Sequence, residues 1–287
     1  MTLDLGALSR VLSPEKVAAI RAVPCFRDSG YRGLDIGGTL DYYARRYVAQ
    51  ISKFTEIDER GVIADIGAGF GWLAIAFALL TPARVIAVDA DDARLAAARA
   101  IADIVGVADR IEWRAGRLGK LPLADREARI GYCIEVIEHI GRDEAALRDL
   151  ARISGEYLVL TTPNRLFPII AHDTELPFCH WLPLRWRRGY ARLFGRTRCE
   201  NDNLFWSATD LARCLPEFEV VSGFMQYRSL DDFLATFPIY LPYRGGHDAA
   251  GPSRARLGYY RLAARLGRRS QYVLPNLAAV YRRRDAR

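Results

Sequence analysis

The sequence predicts an α/β fold built on parallel strands, and three observations carry that reading. From residue 62 to residue 161, apolar strand-like runs alternate with helical periodicity across short turns, the pattern of parallel strands joined by right-handed crossovers. The first of these strands, Val62 to Ile66, runs into Gly67-Ala68-Gly69-Phe70-Gly71 and then into a helix. The second closes on Asp89, 22 residues after Gly67. A glycine turn followed by an acid at that distance is how a doubly wound sheet meets a nucleoside-bearing ligand beyond its strand ends.

The elements follow in order. Ser13-Pro14-Glu15 opens a helix, with serine at the N-cap and proline at the first helical position. Residues 41–54 read as a second helix. Strands are predicted at 62–66, 84–88, 110–114, 129–134 and 155–161, and helices at 70–80, 91–105 and 142–152. After Thr161-Thr162-Pro163-Asn164 the regularity breaks, and residues 165–205 are rich in proline, aromatics and arginine. Ser207 and Asp210 form a capping-box signature. Residues 217–225 and 273–283 read as two final strands, with a helical insertion between them.

The 287 residues are 51% apolar and carry a net charge of +7, which suits one elaborated domain with a full core. Six arginines fall between Arg185 and Arg198 and six between Arg254 and Arg269, and the chain ends in Arg282-Arg283-Arg284-Asp285-Ala286-Arg287. Such runs point to a membrane surface or a phosphorylated substrate, or only to a solvated face. Cys25, Cys133, Cys179, Cys199 and Cys214 are odd in number, with no C-x-x-C among them; they read as reduced thiols of a cytosolic protein. No leader pattern is visible, and the longest apolar run, near residues 70–80, falls short of the ~20 residues that span a bilayer.

Gly67 and Gly69 allow a tight turn and a ligand pressed on the backbone, and the helix after them offers free N–H groups for a carboxylate or phosphate. Asp89 can take both hydroxyls of a ribose. Dinucleotide oxidoreductases favour G-x-G-x-x-G, whereas this chain has Gly67-x-Gly69-x-Gly71 with Asp65 two places before it. A carboxylate there suits a cationic ligand end, such as the amino group of a methionine moiety. The cofactor joining ribose, carboxylate and ammonium is S-adenosylmethionine. The bland alternative is a turn used for packing alone.

Residues 62–163 resemble the class I S-adenosylmethionine-dependent methyltransferases. The matching pieces are Asp65-Ile66-Gly67-Ala68-Gly69, Val88-Asp89, Leu121-Pro122-Leu123, Glu135-Val136-Ile137-Glu138-His139 and Thr162-Pro163-Asn164. The resemblance implies a Rossmann-like, doubly wound seven-stranded sheet with its last strand antiparallel and with helical additions. Residues 61–287 would then be the methyltransferase domain, with insertions at about 165–205 and 229–270, and the helices of residues 1–60 would form part of the acceptor pocket. Asp65, Gly67, Ala68, Gly69, Gly71, Asp89, Ala90, Arg117, Leu118 and Glu135 would hold S-adenosylmethionine. One departure stands out. Where the family often has an aspartate that accepts from the adenine amino group, this chain reads Ala115-Gly116-Arg117-Leu118. Arginine only donates, so either a backbone carbonyl accepts that proton or Arg117 stacks on the adenine.

If residues 135–139 turn helical, Glu135, Glu138 and His139 fall at i, i+3 and i+4 on one face. That set can hold a divalent cation such as Mg, which would acidify an acceptor hydroxyl. Without metal, His139 acts as general base beside Glu138. The cluster is similar to that of the metal-linked ubiquinone-biosynthesis O-methyltransferases. It also resembles the small-RNA 2′-O-methyltransferases, in which a further histidine completes the set; His172 and His180 are the candidates here. In metal-free relatives the same histidine only packs near the site.

Asn164, just past the fifth strand, is expected to line the acceptor site, with His172 and His180 aimed at the acceptor or bonded to loop backbone. Residues 164–196 resemble a segment of bacterial methyltransferase-domain proteins of unassigned substrate. Within it Trp181, Trp186, Tyr190 and Phe194 recur at helical steps among arginines. The stripe reads as a lid or core helix, as a helix lying at lipid headgroups, or as a single-stranded RNA contact. No RNA-binding module is recognisable, so nucleic acid is not expected as a partner. The leading function is O-methylation of a small-molecule, glycan or lipid-linked acceptor by a cytoplasmic protein, peripheral at most to the inner membrane face. A metal-assisted RNA 2′-O-methyltransferase and a non-catalytic S-adenosylmethionine-binding module are the alternatives.

Overall fold

Residues 8, 11–170, 174–196, 205–242, 245–248 and 250–286 are described by a computed structural model. One sheet of seven strands forms the centre: β1 (Val62–Ile66), β2 (Arg84–Asp89), β3 (Ile111–Ala115), β4 (Ala128–Ile134), β5 (Ser154–Pro163), β6 (Phe218–Val220) and β9 (Asn276–Arg283). Their order is β3-β2-β1-β4-β5-β9-β6. The first five run parallel, and β9 lies antiparallel to both β5 and β6. The winding therefore reverses between β1 and β4, which opens a crevice at their carboxyl ends. Strands β7 (Ile239–Leu241) and β8 (Gly246–Asp248) form a separate hairpin.

Both faces of the sheet are covered, so the central strands are almost wholly apolar. On one face, Trp72–Leu80 and Asp92–Val105 pack with the N-terminal helices around Phe77, Tyr132 and Val159. On the other, Glu144–Ile153 and Ala208–Cys214 pack on Ile66, Val88 and Leu158. The helix starts are set locally. The Asp91 carboxylate accepts from Ala93 and Arg94 N–H at 3.0 Å each, and Asp143 accepts from Ala145 N–H at 2.8 Å. Ser207 Oγ accepts from Asp210 N–H at 3.2 Å while Asp210 accepts from Ser207 N–H at 3.0 Å, the expected capping box.

Three expectations need correction. The helix expected over 41–54 is Ile36–Tyr43, followed by a π-helical turn at Ala44–Val48 and a last turn at Ala49–Ile51. The strand expected over 217–225 stops at Val220, because Phe224 and Tyr227 exchange backbone hydrogen bonds and turn the chain. β9 starts at Asn276 rather than at 273, after the 3₁₀ turn Gly267–Tyr272.

The aromatic stripe among the arginines lies partly on the helix Leu184–Leu193. Most of it is not core: Trp181, Trp186 and Phe194 are 51%, 57% and 56% exposed, while Tyr190 packs half-buried against Leu176, Cys179 and Ala191. Cys25, Cys133, Cys179 and Cys214 are free thiols; Cys199 lies outside the described residues. Among the described residues, no helix is long and apolar enough to cross a membrane.

Trp206 joins the two halves of the second layer. It is fully buried, its Nε1 donates to Ile137 O at 3.3 Å, and its backbone carbonyl accepts from Arg165 N–H at 2.8 Å. Trp206→Ala is expected to cost about 3–5 kcal/mol, read as a lowered midpoint in urea unfolding.

Candidate cofactor and acceptor site

The end of β2 gathers three loops. Val88 O accepts from Gly67 N–H at 2.8 Å and from Ala68 N–H at 3.0 Å. Asp89 accepts from Gly69 N–H at 2.7 Å through one carboxylate oxygen and from Asp91 N–H at 2.9 Å through the other. Its carbonyl accepts from Gly116 N–H at 2.9 Å. Gly67 (φ +75°) has no room for a side chain, since a Cβ would lie 2.4 Å from Val136 Cγ2. Gly69 (φ +57°) is bare for the opposite reason: its nearest neighbour would be Arg94 Cδ at 3.9 Å, and it faces a cavity.

That cavity is about 990 Å³ and is lined by Gly67, Ala68, Gly69, Asp89, Ala90, Arg117, Leu118, Glu135 and His139, with Tyr31, Thr39 and Tyr43 closing it from the N-terminal side. Its size suits a nucleoside-bearing cofactor. Two of Asp89's lone-pair sites are used by the loop; an ionised carboxylate has about four, so sites remain for hydroxyls. Arg117 is exposed and pairs by backbone with Lys120 in a tight turn, which places its side chain at the cavity wall. Gly71 is the left-handed N-cap of the following helix and does not line the cavity.

The acidic residues depart from expectation in two places. The sequence predicts that Asp65 faces the ligand. It is instead buried beneath the loop, outside the cavity lining, and takes a hydrogen bond from the Ala74 N–H in the first turn of the next helix. Burial, with the Asp89 charge adding to it, pushes its carboxyl up to about 7 against that hydrogen bond. Glu135, Glu138 and His139 do not share a helix face. Glu135 has a left-handed backbone (φ +55°), and Ile137–Ile140 is a 3₁₀ turn, so the i, i+3, i+4 geometry never forms. Among the described residues, no group of three His, Cys, Asp or Glu side chains is placed to hold a metal ion.

The three side chains divide instead. His139 is exposed and lines the large cavity but not the smaller one. Glu138 is buried behind the site, lines neither cavity, and accepts from Thr162 Oγ1 at 2.9 Å. Burial, and then the charge of Glu135, raise its carboxyl well above the usual range; the two carboxyls are hydrogen-bonded. Two carboxyls this close do not readily both ionise, which favours the protonated form of Glu138, the more deeply buried of the two.

Glu135 also lines a second cavity of about 180 Å³. Tyr42, Arg46 and Tyr47 enter it from the helix interrupted by the π turn, Gln226 from the Phe224–Tyr227 turn, and Arg256 and Tyr260 from the helix Arg254–Ala264. π turns recur at functional sites because they swing side chains off the regular helical face. Gln226 is 1% exposed, yet neither atom of its amide has a hydrogen-bond partner; Arg46 Nε and Thr161 Oγ1 are orphaned in the same way. Buried polar groups are normally satisfied, so these are atoms of the cavity wall left open to water or a ligand. Burial opposes the Arg46 charge, but Tyr42, Tyr227, Tyr47 and Glu135 together hold its pKa above the ordinary value.

The remaining substrate candidates fall elsewhere. Asn164 is fully buried and structural: its amide donates to Leu274 O at 2.8 Å and to Gln271 O at 3.1 Å and accepts from Leu166 N–H at 3.0 Å. His180 is buried away from both cavities, with Nε2 3.0 Å from Arg165 O. His172 lies outside the described residues. Arg46 and Gln226 carry no motif; the Tyr42–Arg46 spacing of four on a helix is the available signal.

Comparison with known proteins agrees with the geometry. Residues 63–155 match the family model described as a methyltransferase domain. A probable S-adenosylmethionine-dependent methyltransferase from two strains of Mycobacterium tuberculosis is 28% identical over 141 residues, 48% of this chain and 49% of that protein. The chain thus spans about half the length of the curated relatives it matches. A structure of geranyl diphosphate methyltransferase with S-adenosylmethionine superposes with a TM-score of 0.50 at 13% identity, covering 83% of each chain. The geranyl diphosphate C-methyltransferase of Streptomyces coelicolor A3(2) gives 0.50 at 12%, covering 83% of this chain and 73% of that one. At such identity these two likenesses are of fold alone. Residues 63–155 thus match a methyltransferase domain, set in a Rossmann-like sheet of seven strands with its last strand antiparallel.

Asp65 gives a pH signature. Its folded pKa near 7 lies above the ~3.9 of an unfolded aspartate. The folded state therefore binds this proton more tightly, and the associated stability is present at low pH and falls as pH rises toward 7. Asp65→Asn removes that fall: the stability of the variant relative to the wild type should grow by on the order of a few kcal/mol between about pH 4 and pH 8, measured by urea unfolding across pH.

Proposed function

We propose that this chain, with its methyltransferase domain at residues 63–155, transfers a methyl group to a hydroxyl oxygen of a ring-sized acceptor bound in the smaller cavity. The observation that carries the reading is Glu135, which stands in the wall of both cavities. A carboxylate at the junction is where an acceptor hydroxyl would have to lose its proton. S-adenosylmethionine, when bound, supplies an electrophilic methyl on sulfur, and the bare face at Gly69 and the uncommitted lone pairs of Asp89 fit its amino-acid and ribose parts.

The chain's own residues then have distinct tasks. The backbone around Gly69 and the Asp89 carboxylate hold the nucleoside, with Ala90, Arg117 and Leu118 at the wall where a base would lie. The N-terminal helices supply one side of the acceptor pocket through Tyr42, Arg46 and Tyr47. Gln226 offers two N–H donors and an acceptor oxygen, and Arg46 donates, so the acceptor carries oxygens beyond the one that reacts. Glu135 takes the hydroxyl proton, and Glu138 is a positioning residue that fixes its charge state. Most of the rate would come from alignment in a closed pocket.

Label from methyl-labelled S-adenosylmethionine is expected in a hydroxylated acceptor when the purified chain is incubated with fractionated extract. Glu135→Gln should lower kcat by about 10²–10⁴-fold, while calorimetry shows S-adenosylhomocysteine binding unchanged. Failure of the wild type to bind S-adenosylmethionine or its demethylated product ends the reading; full activity in Glu135→Gln ends the proton-acceptor role.

A further inference from the structure

Large apolar side chains of a monomeric domain are usually covered, and scattered exceptions need no account. Here the exceptions are gathered. Trp181 Nε1 donates to Arg165 O at 2.6 Å, and Phe178 N–H to Pro168 O at 2.6 Å. Asn164 bonds the carbonyls of Gln271, Leu274 and Pro275. These bonds stitch residues 164–169, 178–181 and 271–275 side by side. Leu166, Ile169, Phe178, Trp181, Tyr272 and Val273 are all exposed along that seam.

Two helices adjoin it, each in contact with one of its 3₁₀ turns. On Leu184–Leu193 and the residue after it, Trp186, Leu193 and Phe194 repeat at i, i+7 and i+8 and are exposed, Leu193 by 79%. On Arg254–Ala264 and its continuation, Leu262 and Leu266 are exposed, at 63% and 48%.

Along the two helices the charge is all positive, and the acid next to them, Glu175, is exposed and pairs with Arg196 at 4.0 Å. Arg185, Arg192, Arg261, Arg265 and Arg269, on or just after these helices, are exposed, and Arg185 lies over the Trp186 ring at 5.4 Å. Residues 176–196 and 254–272 contain no aspartate or glutamate. A second copy of the chain would set arginine against arginine. An anionic lipid headgroup layer complements both features at once, because tryptophan and leucine enter the interface while arginine meets the phosphates.

We propose that this face docks on an anionic phospholipid bilayer. The contact is peripheral, and its position relative to the acceptor cavity follows from one helix. Arg254–Ala264 turns Arg256 and Tyr260 toward the smaller cavity and Leu262 outward. The acceptor pocket therefore lies behind the docked face, one helix away from the lipid. The docking does not depend on the methyl-transfer reading, and its test uses no turnover.

The test is sedimentation of the full chain with phosphatidylcholine vesicles, with and without phosphatidylglycerol. Binding is expected only to the phosphatidylglycerol vesicles and should weaken with salt. Removing three arginines, Arg185→Ala, Arg192→Ala and Arg265→Ala, should lower the partition coefficient roughly 100-fold, at about 1 kcal/mol for each. Trp186→Ser with Leu193→Ser should lower it as well. Both variants should keep the wild-type melting temperature, so a folding defect would show separately. No binding to phosphatidylglycerol vesicles overturns the proposal. So does dimerisation through this face in analytical ultracentrifugation, or tighter binding to single-stranded RNA than to vesicles.

Discussion

The end of β2 is the fixed point from which the rest of the cofactor cavity is hung. The Val88 carbonyl and the Asp89 carboxylate hold the loop after β1, and the Asp89 carbonyl holds the loop after β3. Charge-assisted bonds from backbone N–H groups to a carboxylate are short and about twice as strong as neutral ones. At Gly69 the bond is 2.7 Å. Asp89 thus shapes the loop and keeps oxygens at the cavity wall for a ligand. The side-chain-free positions follow from the same geometry. Val136, from the loop after β4, occupies the space a Cβ on Gly67 would need, so the approach of that loop depends on the glycine as much as the ligand does.

The sheet is legible in the sequence because its strands are buried on both faces and its helices are capped by Asp91, Asp143 and Ser207, signals local to the chain. The cofactor side is legible for a related reason: Gly67, Gly69 and Asp89 sit at strand ends whose register the alternation predicts. Spacing misleads where a side chain's direction depends on distant neighbours. Asp65 lies buried beneath the loop, outside the cavity, although its spacing places it beside the glycines. Asn164 turns to the backbone of residues 271–274, more than a hundred positions away in sequence. At Glu135 the cause is different, since its left-handed backbone breaks the helix that the i, i+3, i+4 pattern requires.

The smaller cavity is barely legible in spacing, beyond the four-residue step from Tyr42 to Arg46. Its walls come from residues 42–47, 135, 161, 226 and 256–260, brought together only by the packing of the N-terminal helices and the insertion against the sheet. The π turn at Ala44–Val48 has no sequence signature, yet it lies between Tyr42 and Tyr47 and carries Arg46. Met225, at φ +49°, sits before Gln226. A non-glycine residue in that region costs free energy that the surrounding fold must offset. The result is a buried amide aimed into a cavity without a partner of its own.

Charge inside this pocket is tightly limited. Burial and the charge of Glu135 both favour the protonated form of Glu138 behind the wall, which limits the negative charge the pair carries. Arg46 answers that charge from within the same cavity. For proton removal alone this pairing is a handicap, because a neighbouring guanidinium makes a carboxylate a weaker base. Under the proposed reaction it gains a purpose. As the hydroxyl proton moves to Glu135, that carboxyl loses its charge and the acceptor oxygen becomes negative. The arginine, unchanged and already in place, then faces the new oxyanion. Preorganised donors aimed at charge that develops during a reaction are among the largest contributions an enzyme makes. A weaker base beside a permanent cation is a sound arrangement for a hydroxyl, and a poor one for an acceptor that arrives as a cation.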